Sequence, residues 1–406
     1  MRLRALAPWL LLLAACRPEP VPVPPSPRTA EPEIRVGLVV GAGTLRVGGG
    51  AGLAALAADS SIVGVIRAGE EHTVRTAGGL VQVDGLVPAE SLTLASTDPD
   101  GFVRVNGRDY RGRVVLFRGA SGLVAVNRVG LESYLAGVVS AEMGRREPGD
   151  SEALKAQAVI SRTYALRNRG RWDAQGFDFY ATVVDQVYGG VAAETGEGWE
   201  SVSATAGLVV GYDGAPIDAF FFSTCGGRTA VGTEVFANAD RPYLRSIDDV
   251  DSRGEAYCRI SPRFDWQVEW SGEALHDVLE TTLPAGSDPG VSRGSVIEAV
   301  KIAQRTRSGR VARLAFQIDG RQIGVSGPAI RQVLRPNRNE ILRSAAFELS
   351  QTRTGGRVVR LVADGHGAGH GVGFCQWGAV GRARAGQDYR EILTAYFPGT
   401  DLERYY

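Results

Sequence analysis

The sequence predicts an α+β fold, a β-rich scaffold with a few packed helices and an elongated substrate cleft. Three observations carry this. The first third alternates apolar and polar residues in short runs, the middle switches to helical spacing, and glycine is abundant at 53 residues. Such a glycine content suits turn-rich β structure better than a helical bundle. Basic and acidic residues number 45 each, so charge points to no nucleic-acid partner and to no general attraction to anionic lipid.

The chain opens on MRLRALAPWLLLLAAC. Arg2 and Arg4 precede an apolar run from Leu6 to Ala15, too short for a permanent bilayer span, which reads as a secretory signal. The run ends Leu13-Ala14-Ala15-Cys16, which resembles the bacterial lipobox. Residues 1–16 are therefore expected to be a lipoprotein signal, with Cys16 the lipidated residue. Residues 17–33, RPEPVPVPPSPRTAEPE, are dense in proline and lack apolar periodicity, the composition of an extended, solvated tether. Together these predict a cell-envelope protein held to a membrane through its lipid anchor only, at the outer membrane or the outer face of the cytoplasmic membrane. The lack of an aspartate after Cys16 favours the outer membrane.

Residues 34–128 form a β-rich N-terminal region. IRVGLVV, TLRVGG, HTVRTAGGLVQVDG, SLTLAS, FVRVNGRDYRGRVVLFRG and GLVAVNRV alternate and are broken by Gly, Asn and Asp. Asn106-Gly107 is a hairpin signal. The core is expected over 129–402. LESYLAGVV, Leu131 to Val139, places Leu131, Tyr134, Leu135, Val138 and Val139 on one helical face, and Glu142 then falls in a loop. SEALKAQAVISRTYALRNRG gives a second helix ended by Gly170, with Leu154, Ala158 and Ala165 as its buried stripe. Gln157, Ser161 and Tyr164 share another face, with Arg162 beside it. Residues 262–350 alternate like strands around two short helices and read as β-rich scaffold. In that segment Trp266 and Trp270 share one side of a strand, suited to core packing more than to a sugar platform.

NRVGLESYLAGVVSAEM followed by EALKAQAVISRTYAL resembles the signature of the SpoIID/LytB family, the stage II sporulation protein D and amidase-enhancer relatives. The likeness continues in order through DQVYGG, TAGLVVGYDGAPIDAFFFSTCGGRT, YLRSIDD, YCRISPRFDW and GHGVGFCQWGAVGRARAGQDYREILTAYFPGT.

The resemblance implies a lytic transglycosylase that cleaves peptidoglycan glycan strands, notably those stripped of stem peptides, with Glu142 of Ala-Glu-Met as catalytic residue. A hydrolytic glycosidase needs two carboxyls. A lytic transglycosylase needs one, because the sugar's C6 hydroxyl attacks the anomeric carbon and closes a 1,6-anhydro ring. The same carboxyl protonates the leaving oxygen and then takes the C6 hydroxyl proton, so burial must raise its pKa. Gln157, Arg162 and Tyr164 are candidate sugar contacts, as are His370 and Gln376 of the glycine-rich segment 365–379. His276, within GEALHDVL, is read as structural and His366 as a surface partner. The family also implies a second function, a non-catalytic glycan-binding lipoprotein that stimulates a cell-wall amidase. A purely structural envelope lipoprotein is the third reading. Where familiar members follow the glutamate with P-x-x-W, this chain has GRREPGDSE.

The resemblance implies zinc near the Cys-Gly-Gly motif in at least one relative, but here Arg228 stands where a histidine is common, and no close C-x-x-C or H-x-x-H spacing occurs. No metal and no cofactor are therefore expected. Cys225 and Cys258 are expected to form a disulfide or close thiol pair in an oxidising envelope, with Cys375 a small buried residue.

Overall fold

The computed structural model describes residues 30–283, 291–292 and 294–406. Cys16 and all but the last residues of the proline-rich stretch lie outside them. The alternating runs of the first third build two sheets. Seven strands lie in the order Phe179–Tyr180, Glu33–Ala42, Gly122–Gly130, Arg113–Gly119, Ser91–Ser96, Leu53–Leu56 and Ile62–Ile66. Five more lie in the order Leu80–Val83, Glu71–Ala77, Thr44–Gly48, Val103–Val105 and Arg108–Tyr110. Alternation decides which side is covered: Leu92 and Leu94 are buried within Ser91–Ser96, as are Leu45 and Val47 within Thr44–Gly48. Asn106 and Gly107 both take positive φ, 48° and 80°, and close the hairpin between Val103–Val105 and Arg108–Tyr110.

The strand Gly122–Gly130 runs directly into helix α1 (Leu131–Met143). The expected apolar face is buried, but the helix continues past Val139 for another turn, with Ser140 and Met143 also buried, and stops at Gly144 with φ 68°. Glu142 therefore sits on the last turn of a packed helix, not in a loop. Helix α2 (Ser151–Asn168) buries Leu154, Ala158 and Ala165 against α1 and against helix α3 (Gly196–Ala204).

Residues 265–366 form a unit with its own apolar core. Strands Asp265–Ser271, Arg357–His366 and Phe347–Thr354 make one sheet, and Ile297–Arg305, Val311–Ile318 and Arg321–Ser326 another, with helices α4 (Gly272–Thr282) and α5 (Ala329–Val333). Trp266 and Trp270 are buried in this core, their indole N–H groups donating to Gly367 O at 2.9 Å and Arg335 O at 3.1 Å. They are core residues.

The chain then returns to the main body. Phe374–Cys375 pairs in parallel with Phe221–Phe222 and leads into helix α6 (Gln376–Arg384) and helix α7 (Tyr389–Tyr396). Val380, Ile392, Leu393 and Phe397 rejoin the core that contains α1 and α2. Among the described residues no helix is long and apolar enough to cross a membrane.

Candidate functional site

Glu142 is half-buried where α1, the segment 185–190 and the start of α6 meet. Its Oε1 accepts the Val187 backbone N–H at 2.7 Å. The Gln376 side-chain amide donates to the Glu142 backbone oxygen at 3.5 Å and to Gln157 Oε1 at 3.4 Å. Burial raises the Glu142 carboxyl above the ordinary glutamate range, opposed by the Val187 N–H bond and by the neighbouring Gln376 amide.

The segment carrying Val187 is fixed by Asp185, whose side chain is wholly buried. Its oxygens accept from Tyr164 Oη at 3.0 Å, Trp172 Nε1 at 2.8 Å, Tyr180 N at 2.8 Å and Arg171 at 3.0 Å. The loop between α1 and α2 is stapled to α6. Arg146 stacks over Trp377 with its guanidinium carbon 4.3 Å from the ring centroid, and Asp150 accepts two bonds from Arg384 at 2.7 and 3.0 Å. These contacts hold a loop that lacks the P-x-x-W of familiar sequences.

The structure brings Gln376 to Glu142 as expected and corrects three of the proposed sugar contacts. Gln157 is wholly buried and reaches the glutamate only through Gln376, bonding also to Ser161 at 3.0 Å. Arg162 is wholly buried on the opposite side, paired with Glu132 at 2.6 and 2.8 Å and donating to Leu208 O and Val202 O. Helical spacing puts it near the Gln157 face, but the ion pair with α1 turns it into a packing residue. His370 has both ring nitrogens engaged, Nε2 donating to Phe221 O at 2.9 Å and Nδ1 accepting from Val372 N at 3.1 Å, with Phe220, Phe222 and Phe236 around the ring. Burial lowers its pKa to about 4, so it is a neutral brace of the glycine-rich segment and not a sugar contact. Tyr164 is half-buried, and its hydroxyl is committed to Asp185.

A scan of family models matches residues 120–212 to SpoIID, described as stage II sporulation protein, and residues 255–373 to a domain of unknown function. Stage II sporulation protein D of Bacillus amyloliquefaciens is 30% identical over 294 residues, covering 68% of this chain and 75% of that protein. The chain belongs to the SpoIID family. An uncharacterised protein of Brachyspira hyodysenteriae is 31% identical over 310 residues, 75% of each chain. An amidase enhancer of Bacillus subtilis is 26% identical over 286 residues, 63% of this chain and 38% of that protein. The SpoIID match contains Glu142, α1, α2 and Val187, whereas Gln376 comes from beyond it.

Behind Gln376 lies a cluster that sequence reasoning saw only in part. Cys225 and Cys258 do lie together, Sγ to Sγ 3.4 Å, as free thiols. Cys375, expected to be a passive buried residue, joins them: its Sγ accepts the Cys225 N–H at 3.1 Å and the Gly378 N–H at 3.2 Å. Asp249 completes the group, its Oδ2 accepting from Cys225 Sγ at 3.2 Å and from Tyr396 Oη at 2.8 Å, its Oδ1 from Arg382 at 2.8 Å. Asp249 was visible as part of YLRSIDD, and Cys375 as the residue before Gln376. Their convergence depends on the parallel pairing of Phe374–Cys375 with Phe221–Phe222.

Proposed function

We propose that this SpoIID-family protein is a lytic transglycosylase of peptidoglycan glycan strands, with Glu142 as its single general acid and base. The observation that carries this is one half-buried carboxyl on the last turn of α1, raised by burial and held by a backbone N–H where α1, residues 185–190 and α6 meet. The protonated carboxyl gives its proton to the glycosidic oxygen as the C1–O bond breaks. The resulting carboxylate then takes the proton of the same sugar's C6 hydroxyl as O6 bonds to C1. No water is consumed, and the carboxyl ends as it began. The Val187 N–H orients the carboxyl, and together with the nearby Gln376 amide it keeps the ionised form accessible for the second half of the cycle.

The preference we assign is for strands lacking stem peptides. The test is to incubate the full chain with intact and with amidase-stripped sacculi and to look for 1,6-anhydro products by mass spectrometry. Release from stripped sacculi supports the reading. The absence of anhydro products from every sacculus would move the protein to a second role, glycan binding that stimulates a cell-wall amidase, for which similarity to an amidase enhancer is the support. The leader and proline-rich stretch support tethering to an envelope membrane through Cys16. A palmitate analogue should label the wild type and not Cys16→Ala.

A further inference from the structure

We infer that Cys225, Cys258, Cys375 and Asp249 bind one divalent metal ion of the zinc class as a closed structural site. The four ligand atoms lie within 4.8 Å of one another, and all four residues are buried. Tetrahedral zinc with Zn–S bonds of about 2.3 Å spaces its sulfurs about 3.8 Å apart. The Cys225–Cys258 separation of 3.4 Å is within a few tenths of that. Three thiolates and one carboxylate select a zinc-class ion over magnesium or calcium, and four protein ligands leave no open position for chemistry.

Two further observations point to a cation. Backbone N–H groups are aimed at the sulfurs: Cys225 N and Gly378 N at Cys375, and Gly227 N at Cys225 at 3.3 Å. Such donors stabilise thiolates, as does the N-terminus of α6, which begins immediately after Cys375. The second observation is charge. Arg382 pairs with Asp249, but Arg310, also buried, makes no direct ion pair among the described residues and feels Glu234 only at longer range; it donates to Cys225 O and Arg228 O, and its Nε has no hydrogen-bond partner. Three thiolates, one carboxylate, a divalent cation and the two guanidiniums sum to zero. Neutral thiols, or a Cys225–Cys258 disulfide, leave the buried Arg310 with only the more distant Glu234, itself bonded to Ser308, as counter-charge, and the N–H donors on Cys375 facing an idle sulfur.

None of the four ligands lies within the segment matched to SpoIID, so the site is additional to the one built around Glu142. It ties the loop after Phe221–Phe222, the stretch at Asp249, the turn Tyr257–Ile260 and the start of α6 to one point. Gln376, which contacts Glu142, is the next residue after a ligand.

The test is a metal count by plasma mass spectrometry on the full chain, purified without chelator or reductant, followed by exchange into cobalt(II). One zinc-class ion per chain is expected, with a thiolate-to-cobalt charge-transfer band and tetrahedral d–d bands. Cys258→Ser and Cys375→Ser should each lose the ion and the band. Tyr396→Phe keeps every ligand but removes a hydrogen bond to Asp249, and should weaken retention roughly tenfold in a chelator titration. That variant, and cobalt exchange on the wild type, keep the test valid if the serine variants fail to fold. A metal-free wild type that takes up no cobalt overturns the inference, whether denatured thiol titration then finds three free thiols or one thiol and a disulfide. Glu142→Gln should retain the metal in full, so this readout is independent of the lytic activity.

Discussion

Two adjacent residues, Cys375 and Gln376, face two differently built polar neighbourhoods. On the Gln376 side the central group is a half-buried carboxyl with an N–H donor and a nearby amide, its pKa raised by burial. On the Cys375 side every polar group is buried, and Asp249 is already committed to Arg382, Tyr396 and Cys225. The first arrangement leaves a group able to exchange a proton with something from outside. The second holds chain segments in place. Burial of charge alone does not mark a reaction centre; access together with a displaced pKa does.

Ranked by cost to folding, four substitutions or conditions sharpen that contrast. Arg162→Met should destabilise by about 3 kcal/mol in chemical denaturation, because it strips the partly buried Glu132 of its counter-charge and leaves it only the Gly207 N–H and the Tyr406 hydroxyl as donors. Anhydro-product release per folded molecule should stay near wild type, which a sugar-binding role for Arg162 would not allow. Gly378→Ala should cost about 3 kcal/mol, since an added Cβ would stand 2.1 Å from both Asp249 Oδ2 and Tyr396 Oη. Its thermal midpoint should fall far below that of an alanine substitution at exposed Gly386.

The third concerns pH. His370 titrates near 4 in the fold against about 6.5 unfolded, so the unfolded chain binds the extra proton between those values. Its contribution is fully present above about pH 6.5 and is lost as pH falls through 4, on the order of 3 kcal/mol in total. His370→Gln should flatten that part of the urea-unfolding profile. The smallest folding effect, about 1 kcal/mol, is expected from Gln376→Ala. Here the informative readout is the pH–rate profile. Glu142 must start protonated, so activity falls as pH rises through its pKa. Removing the nearby amide that lowers this pKa should move the limb to higher pH while reducing the maximum rate.

Much of the fold was legible because side-chain alternation and burial agree residue by residue, as in Ser91–Ser96. The strand Arg357–His366 was not, because Val358 and Leu361 point inward while Val359 and Arg360 both lie outward, and the pairing with Phe347–Thr354 shifts register between Thr352 and Arg353. A strict period of two does not survive that irregularity. Leu53–Leu56 was missed for another reason: Leu-Ala-Ala-Leu carries no polar residue to mark the exposed side. At the site, Glu142 and Gln376 were legible through ordered motifs. The Val187 contact was not, since a backbone N–H leaves no signature in residue type. Arg162 was misplaced because helical spacing gives its neighbours on α2 but says nothing of Glu132, thirty positions earlier. The cysteine cluster was half legible: the Cys225–Cys258 pair could be named, while Cys375 and Asp249 arrive through tertiary pairing alone.

The central claim is that one carboxyl performs both proton transfers. Glu142→Gln preserves shape and hydrogen-bonding capacity but cannot deliver a proton, so the direct measurement is the rate of 1,6-anhydro product release from amidase-stripped sacculi by this variant beside the wild type. The account predicts a loss on the order of a hundredfold to ten-thousandfold with glycan binding retained. Release at the wild-type rate would contradict it.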